Sequence, residues 1–330
     1  MKTMTKLAVA GIAALAIAAA ETTAALAQAF PTKPVTMLIP FAAGGPTDVV
    51  GRLVGEHMAR TLGQPVIIEN AVGAAGTLAG QRLMGAAPDG HTILIGHTGT
   101  HAAAVSLNPN LKYKPVEDFA PVGLVNTNPI FLTVKKTHPS QTLAEFVTWL
   151  KANEKTATNA HAGIGSVSHT TCLLFNTVLG VKPNGVPYRG TGPAMTDLVA
   201  GQIDYLCDQA VNVAPQERAG TIRTLAVASD ARASFLPNVP TSTEGGVPGF
   251  KVEVWNAMFA PKDTPPAVVA KLNGALKAAL ADAGVKGKLQ ELGADVPVPA
   301  LLEPAGLRGF IGSEIEKWAP IIKASGVRIE

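Results

Sequence analysis

An alternation of short apolar strands with amphipathic helices is the feature that most limits how this chain can fold. Residues 35–41, 65–69 and 92–96 are predicted strands, and residues 48–62 and 74–86 between them have helical apolar spacing. Since helical crossovers join parallel strands, this order predicts a parallel sheet. We therefore expect an α/β fold whose ligand crevice lies beyond the carboxyl ends of the strands.

The alternation starts again after Pro121 and predicts a second α/β unit. Its predicted strands span residues 130–134, 158–161, 203–207, 222–228 and 252–260. Its predicted helices span residues 143–151, 167–179, 193–200 and 212–219, and two further helices, 265–281 and 305–323, follow the late strand 252–260. Periodicity alone does not assign the C-terminal helices to either unit.

The first 29 residues have the pattern of a secretory signal peptide. Lys2 and Lys6 precede an apolar run over residues 7–20, and small residues follow at 25–29. A retained anchor is the alternative, but this run is short for the ~30 Å core of a bilayer. We expect cleavage within residues 27–30 and a mature protein outside the cytoplasm.

Charge excludes one large class of partner. Removing Lys2, Lys6 and Glu21 from the 27 basic and 24 acidic residues leaves 25 and 23, an almost neutral balance. No stripe of basic residues interleaved with aromatic ones is present, so nucleic acid is not an expected partner.

Two cysteines, Cys172 and Cys207, lie in the mature part of the chain. In an oxidising compartment such a pair predicts a disulfide, which would stabilise the fold by roughly 3 to 4 kcal/mol. Two buried, unpaired thiols remain the alternative.

Three loops rich in small residues precede predicted helices: residues 42–47, 162–166 and 188–193. Free N–H groups at a helix start favour an anion. The 42–47 loop lacks the lysine of the P-loop motif G-x-x-x-x-G-K-S/T and the dinucleotide motif G-x-G-x-x-G, so no nucleotide cofactor is expected. One loop in the first unit and two in the second favour a small anion, such as a carboxylate, held in a cleft between the units. A merely structural turn is the alternative.

Catalytic and metal-binding alternatives have weaker support. Ser166 and His169, with Asp197 or Asp208, contain the residue types of a triad, but the G-x-S-x-G elbow is absent. His97 and His101, with His91 nearby, lack the further ligands of a zinc site, so no metal is expected. The commoner role of Arg189 is a salt bridge, although it could pair with a ligand carboxylate. Asp48 has two competing roles, as a first-turn helix charge or as a ligand contact.

Several segments together carry a resemblance to one family. They are FPTKPVTMLIPFAAGGPTDVVGRLV, APDGHTILIG, THAAAVSLNP, DFAPVGLV, GIGSVSHTTCLLFN, VPYRGTGPAMTDLVAGQIDYLCDQ, LPNVPTSTEGGVPGF and IGSEIEKWAPIIKASG. In this order and spacing, from Phe30 to the C-terminus, the chain resembles the substrate-binding proteins of tripartite tricarboxylate transporters, or Bug receptors. Many members have Asp-Asn where this chain has Asp208-Gln209, and the Cys172–Cys207 pair resembles a subgroup.

The resemblance implies a periplasmic binding protein of the type II, two-lobed fold, with the ligand cleft between the lobes. The first lobe would comprise residues 30–127 and 254–330, and the second residues 128–253. Carried over by motif, the ligand-binding residues of the first lobe would be Phe41, Ala42, Ala43, Gly44, Thr47, Asp48, Thr98 and His101. Those of the second lobe would be Gly165, Ser166, His169, Thr191 and Asp208.

The function so implied is capture of a small organic acid by lobe closure, without catalysis, and its delivery to membrane transporter subunits. We expect a monomer in the periplasm. A ligand-sensing receptor for a signalling partner and a secreted serine hydrolase are the alternatives. The sequence does not identify the ligand.

Overall fold

A computed structural model describes residues 30–328; the predicted signal peptide, residues 1–29, lies outside the described part. Nine strands and ten α-helices form in this part of the chain. The strands are β1 Val35–Ile39, β2 Val66–Asn70, β3 Thr92–His97, β4 Phe119–Lys135, β5 Thr158–His161, β6 Asn184–Pro187, β7 Tyr205–Gln209, β8 Ile222–Val227 and β9 Glu253–Pro261. The helices are α1 Pro46–Leu62, α2 Thr77–Met84, α3 Ala104–Leu107, α4 Leu143–Ala152, α5 Val167–Leu179, α6 Thr191–Val199, α7 Ala210–Arg218, α8 Pro266–Ala281, α9 Ala283–Glu291 and α10 Pro304–Ser325.

The N-terminal strands confirm the predicted parallel sheet. β1 pairs with β2 on one side and with β3 on the other, both in parallel. β9 then joins β3 in antiparallel orientation and continues the sheet. Alternation of helix and strand places α1 over one face of this sheet, where Gly51 allows close approach to Ile39 and Gly55 to Val66.

β4 crosses between two sheets and connects the two lobes of the molecule. Its first part, Phe119 to Pro129, pairs with β9, while Ile130 to Lys135 pairs with β7 and β8. The sequence predicted only residues 130–134; Pro121 and Pro129, which interrupt the longer strand, cannot donate a ladder hydrogen bond. The pairing register shifts between Pro121 and Gly123, so the strand continues past the proline.

The second sheet contains β5, β6, β7 and β8 together with the second part of β4. The result is a mixed α/β structure with two lobes. We call the part built on β1, β2, β3 and β9 the first lobe and the part built on β5 to β8 the second lobe.

Local chain chemistry explains where several elements begin and end. The predicted helix 74–86 starts with a separate tight turn, Ala74–Gly76, because Ala74 and Ala75 adopt left-handed φ angles of 45° and 52°. α4 begins with a capping box between Thr142 and Glu145. β6, α3 and α9 were not predicted.

The C-terminal helix α10 packs against β4, α3 and the helical turn Gly99–Ala103 that precedes α3, and it also contacts α5 of the second lobe. Its buried Trp318 and Leu307 belong to the apolar core, and the indole Nε1 of Trp255 donates to Oε2 of Glu314 at 3.0 Å. Within residues 30–328, no helix combines the length and apolarity needed to cross a membrane.

Candidate functional site

A small cavity lies where the two lobes meet. About 20 Å³ of it is open to the centres of water molecules, which is room for about one or two waters. Its wall contains residues of both lobes: Phe41, Gly45, Pro46, Thr47, His97, Ala162, Ser166, Val167, Ser168, Thr191, Asp208 and Gln209. Hydroxyl, imidazole and amide groups line it, and neither lysine nor arginine does. The lobes therefore meet around a small space whose wall combines apolar side chains with hydrogen-bonding groups, the Asp208 carboxylate among them, and has no positive charge.

The 42–47 loop of the first lobe is held from behind by Asp48. Oδ2 of Asp48 accepts from the Gly44 N–H at 3.0 Å, and Arg52 donates to both carboxylate oxygens at 2.9 Å. Asn70 donates to Oδ1 of Asp48 at 2.9 Å and to the Phe41 carbonyl at 2.8 Å. Burial raises the pKa of Asp48, but hydrogen bonds from Arg52, Asn70 and Gly44 bring it below its ordinary value. Asp48 thus shapes the loop and does not line the cavity.

The 162–166 loop of the second lobe is held by uncharged groups. Ser166 caps α5, since its hydroxyl accepts from the His169 N–H at 3.3 Å. Nδ1 of His169 accepts from the Gly165 N–H at 3.3 Å, and Nδ1 of His161 accepts from the Gly163 N–H at 3.1 Å. Burial, and then the neighbouring His161, lower the pKa of His169 to about 4, so its ring is neutral at neutral pH.

The 188–193 loop of the second lobe touches the 42–47 loop directly. The Ala42 N–H donates to the Arg189 carbonyl at 3.1 Å, a hydrogen bond between lobes. A Cβ atom at Gly192 would lie 2.9 Å from the carbonyl carbon of Gly44 and 3.0 Å from the nitrogen of Gly45. The closed arrangement consequently requires glycine at position 192.

Asp208 is buried at the end of β7, facing the cavity. Its Oδ1 accepts from the Gln209 N–H at 2.9 Å, and its Oδ2 accepts from Nδ2 of Asn212 at 2.5 Å. Burial raises the pKa of Asp208 to about 6, although these hydrogen bonds oppose the shift.

The motif-based prediction left out seven residues of the cavity wall: Gly45, Pro46, His97, Ala162, Val167, Ser168 and Gln209. His97 stacks on Phe41 with ring centroids 4.9 Å apart, and its Nδ1 accepts from the Thr100 N–H at 3.2 Å, which assigns the proton to Nε2. Burial lowers its pKa to about 4. Gln209 accepts from Asn128 at 3.0 Å and from Asn256 at 3.4 Å. His97 lies at the carboxyl end of a parallel strand, where α/β folds bind ligands, so its position in the sequence could have indicated a cavity residue.

Of the predicted ligand-binding residues, five line the cavity: Phe41, Thr47, Ser166, Thr191 and Asp208. Eight do not line it: Ala42, Ala43, Gly44, Asp48, Thr98, His101, Gly165 and His169. Ala42, Ala43, Gly44 and Gly165 form the loop backbones around it. The Thr98 hydroxyl accepts from the Trp255 N–H at 2.9 Å, and His101 stacks on Phe259 behind the site. Thr98 and His101 therefore support the cavity wall from behind.

The geometry gives little support to the two alternatives, a serine hydrolase site and a metal site. His169 and Ser166 interact through the backbone N–H of His169, while its ring nitrogen Nδ1 is engaged by Gly165. A working nucleophile needs its hydroxyl on the ring of the base. Over residues 30–328, no group of three or more His, Cys, Asp or Glu side chains is arranged to hold a metal ion.

A disulfide joins Cys172 of α5 to Cys207 of β7, which confirms the predicted bridge. Both cysteines are fully buried. The bridge connects the helix that begins at Ser166 to the strand that ends beside Asp208. Two parts of the second-lobe wall are thereby joined covalently.

A two-lobed α/β fold with a ligand-sized cleft between the lobes is the architecture of solute-binding proteins. The sequence model of one protein family, the tripartite tricarboxylate transporter family receptor, matches residues 50–327, and the chain belongs to this family. A UPF0065 protein from the TAR-I ttuE-ttuC' intergenic region of Agrobacterium vitis is 42% identical over 299 residues, covering 91% of this chain and 86% of that protein.

Solved structures support the same assignment. MatC from Rhodopseudomonas palustris with bound malate is 48% identical, with a TM-score of 0.87 over 89% of this chain and 100% of that one. The periplasmic binding protein BugD is 39% identical, with a TM-score of 0.88 over 91% and 100%. Rpa4515 of R. palustris with adipate is 31% identical, with a TM-score of 0.86 over 91% and 99%. The predicted family and two-lobed fold are confirmed.

Proposed function

We propose that this protein captures a small dicarboxylate between its lobes and presents it to a membrane transporter of the tripartite tricarboxylate type. The observation that carries the proposal is the interlobe cavity, whose wall offers hydroxyl, imidazole and amide groups from both lobes beside one buried carboxylate, Asp208, and no cation. Such donors hold carboxylates in a site of low dielectric. Malate in MatC and adipate in Rpa4515 are both dicarboxylates.

Closure is the proposed mechanism. The cavity lies between the lobes and is lined by residues of both, so the lobes open to admit the ligand and close over it. We place the lobe boundaries in the connecting strands, with residues 30–127 and 254–330 in one lobe and 128–253 in the other. The closed surface is then what a transporter distinguishes from the open form.

We further propose that the chain is exported by its N-terminal 29 residues and works in the periplasm as a monomeric binding protein without catalytic activity. Binding proteins of this family, such as BugD, are periplasmic. Mass analysis of the protein secreted into the periplasm tests the export step, with a new N-terminus within residues 27–30 as the expected result.

A thermal-shift and calorimetry screen tests the ligand class. Malate, succinate, adipate, citrate and a monocarboxylate are compared, with the last as the control. A ligand at 100 times its dissociation constant is expected to stabilise the native state by about 2.7 kcal/mol. Stabilisation by no dicarboxylate would refute the proposed ligand class.

Delivery to a transporter is tested separately. Vesicles carrying the membrane subunits of a tripartite tricarboxylate transporter are expected to take up the labelled ligand only when the binding protein is added. Uptake that is equal without it would favour the signalling alternative.

A further inference from the structure

A groove on the second lobe lies between α5, the strands β5 and β6 at the edge of the sheet, and the end of α10. About 710 Å³ of it is open to the centres of water molecules, which is room for a small ion and several waters. The described residues that line it are all different from those that line the interlobe cavity. A molecule held in this groove would therefore be a second ligand.

Two buried polar side chains of β5 border the groove. Strand alternation places Asn159 and His161 on one face of the sheet, while Ala160 between them belongs to the apolar core on the other face. Asn159 is 5% exposed and His161 is 3% exposed. Within residues 30–328, neither the Asn159 amide nor Nε2 of His161 has a hydrogen-bond partner. Since buried polar groups are rarely left unpaired, these two indicate a ligand in the groove.

The imidazole rings of the groove are hydrogen-bond donors. Nδ1 of His161 accepts from the Gly163 N–H at 3.1 Å, and Nδ1 of His169 accepts from the Gly165 N–H at 3.3 Å, so each neutral ring carries its proton on Nε2. Burial lowers the pKa of both rings, which keeps them neutral at neutral pH. A metal ion on Nε2 would require the proton on Nδ1, where a backbone N–H already donates. The rings therefore favour an acceptor and disfavour a metal ion.

The charge of the groove has one sign. Lys182 lies at its exposed rim, and its described lining contains neither aspartate nor glutamate. Glu154 accepts from the backbone N–H of Lys182 at 2.8 Å but lies outside the lining. A Cβ atom at Gly185 of β6 would lie 3.0 Å from Nε2 of His161, so this glycine keeps the space beside the donor free.

We propose that this groove binds a small oxyanion, a phosphate or sulfate group, through Asn159, His161 and His169, with Lys182 supplying positive charge at the rim. The oxygens of the ion accept from the unpartnered donors, and hydrogen bonds to an anion are stronger than those between neutral groups. Residues 324–327, at the end of α10, form the opposite wall. The site is independent of the ligand that the interlobe cavity takes.

The test measures the affinity for inorganic phosphate by calorimetry at neutral pH and follows the ring N–H signals of the histidines by NMR. Phosphate is expected to shift the Nε2 signal of His161. Asn159→Leu removes the buried amide at similar volume and is expected to bind phosphate at least about tenfold more weakly. Asn159→Asp places a negative charge beside the ion at almost unchanged shape and is expected to weaken binding further.

His161→Asn keeps a side-chain oxygen for the Gly163 N–H but places no donor at the position of Nε2. It is also expected to lose at least about tenfold in phosphate affinity. His138→Asn is the matched control, because Nδ1 of this buried histidine accepts from the Ser140 N–H at 3.1 Å in the same way, outside the groove. It should bind phosphate as wild type does.

Sulfate and glycerol phosphate are titrated in parallel. Sulfate has no proton to donate at neutral pH and should still bind, because the groove supplies the donors. Glycerol phosphate distinguishes a free ion from a phosphoryl group carried by a larger molecule, and binding of either kind supports the site.

Phosphate affinity that is unchanged in both Asn159→Leu and His161→Asn would overturn the inference, as would tighter binding by Asn159→Asp. Failure of wild type to bind phosphate, sulfate and glycerol phosphate would overturn it as well. Melting curves establish that each variant is folded. Should Asn159→Leu fail to fold, Gly185→Ala, which crowds Nε2 of His161 without removing a donor, decides the matter by the same loss of affinity.

Discussion

The 42–47 and 162–166 loops face each other across one cavity, yet different chemistry holds each in place. Asp48 fixes the first loop as an ionised carboxylate bonded to Arg52 and to a backbone N–H. Ser166 and His169 fix the second with a hydroxyl and a neutral ring nitrogen. The first loop is thus held by an ionised side chain and the second by uncharged ones. The two loops should respond differently to mutation and to acid.

The largest effect, a loss of ligand affinity, is expected from a substitution at the contact between the lobes. Gly192→Ala adds a Cβ that lies 2.9 Å from the Gly44 carbonyl carbon in the closed form alone. Overpacking of this kind costs about 1–3 kcal/mol. Since apparent affinity scales with the closed fraction, calorimetry should show roughly 10- to 100-fold weaker ligand binding with little change in melting temperature.

Gly274→Ala in α8 is the matched control, because a Cβ there meets no atom within 4 Å. It should bind ligand like wild type. If Gly192→Ala also binds like wild type, the closed form of the structure is not the one that holds the ligand.

Substitution of Asp48 should give the next largest effect, a loss of folding stability. Asp48→Ala removes the acceptor for Gly44, Arg52 and Asn70, and losing hydrogen bonds to a charged group costs about 2–3 kcal/mol. Urea unfolding should show this loss, and calorimetry should show weaker binding because the 42–47 loop relaxes.

Glu56→Ala in the same helix removes an exposed ion pair with Arg60 and should cost less than about 0.5 kcal/mol. Equal losses in the two variants would mean that Asp48 does no more than an ordinary surface charge.

The sequence predicted both loops because each lies between a strand end and a helix start that local patterns reveal. It missed Gln209 as a wall residue, since its partners Asn128 and Asn256 approach through the long-range order of β7, β4 and β9. No local pattern encodes that order.

Side-chain direction was the other information that the sequence lacked. His101 and His169 lie close in sequence to residues of the cavity wall, so the motif included them in the site. His101 turns to stack on Phe259, and His169 turns to the backbone of its own loop. Only packed neighbours determine which way such a ring points.

Ser166 separates support of the loop from contact with the ligand. Ser166→Ala removes the cap of α5 and should cost about 1 kcal/mol in urea unfolding. Thr142→Ala removes the cap of α4, away from the cavity, and should cost a similar amount. Only Ser166→Ala should also weaken ligand binding in calorimetry. Equal affinity in both variants would remove Ser166 from the ligand site.

Lowering the pH should give the smallest change in folding stability among these predictions, and it should affect the two loops differently. The pKa of His169 falls from its ordinary 6.5 to about 4 on folding, so the unfolded chain binds more protons between these pH values. Stability from this residue is therefore full above pH 6.5 and is lost as pH falls towards 4. Asp48, with its pKa below the ordinary value, stays ionised across that window.

His169→Gln keeps a side-chain acceptor for the Gly165 N–H and does not titrate. Melting temperature followed from pH 7 to 5 should fall less steeply in this variant than in wild type. His97 and His101 also have lowered pKa values through burial, so part of the slope remains. Ser166→Ala loosens the same loop without removing a titrating group and should keep the full slope. Identical slopes in His169→Gln and wild type would show that the neutral ring is not what makes the second loop sensitive to acid.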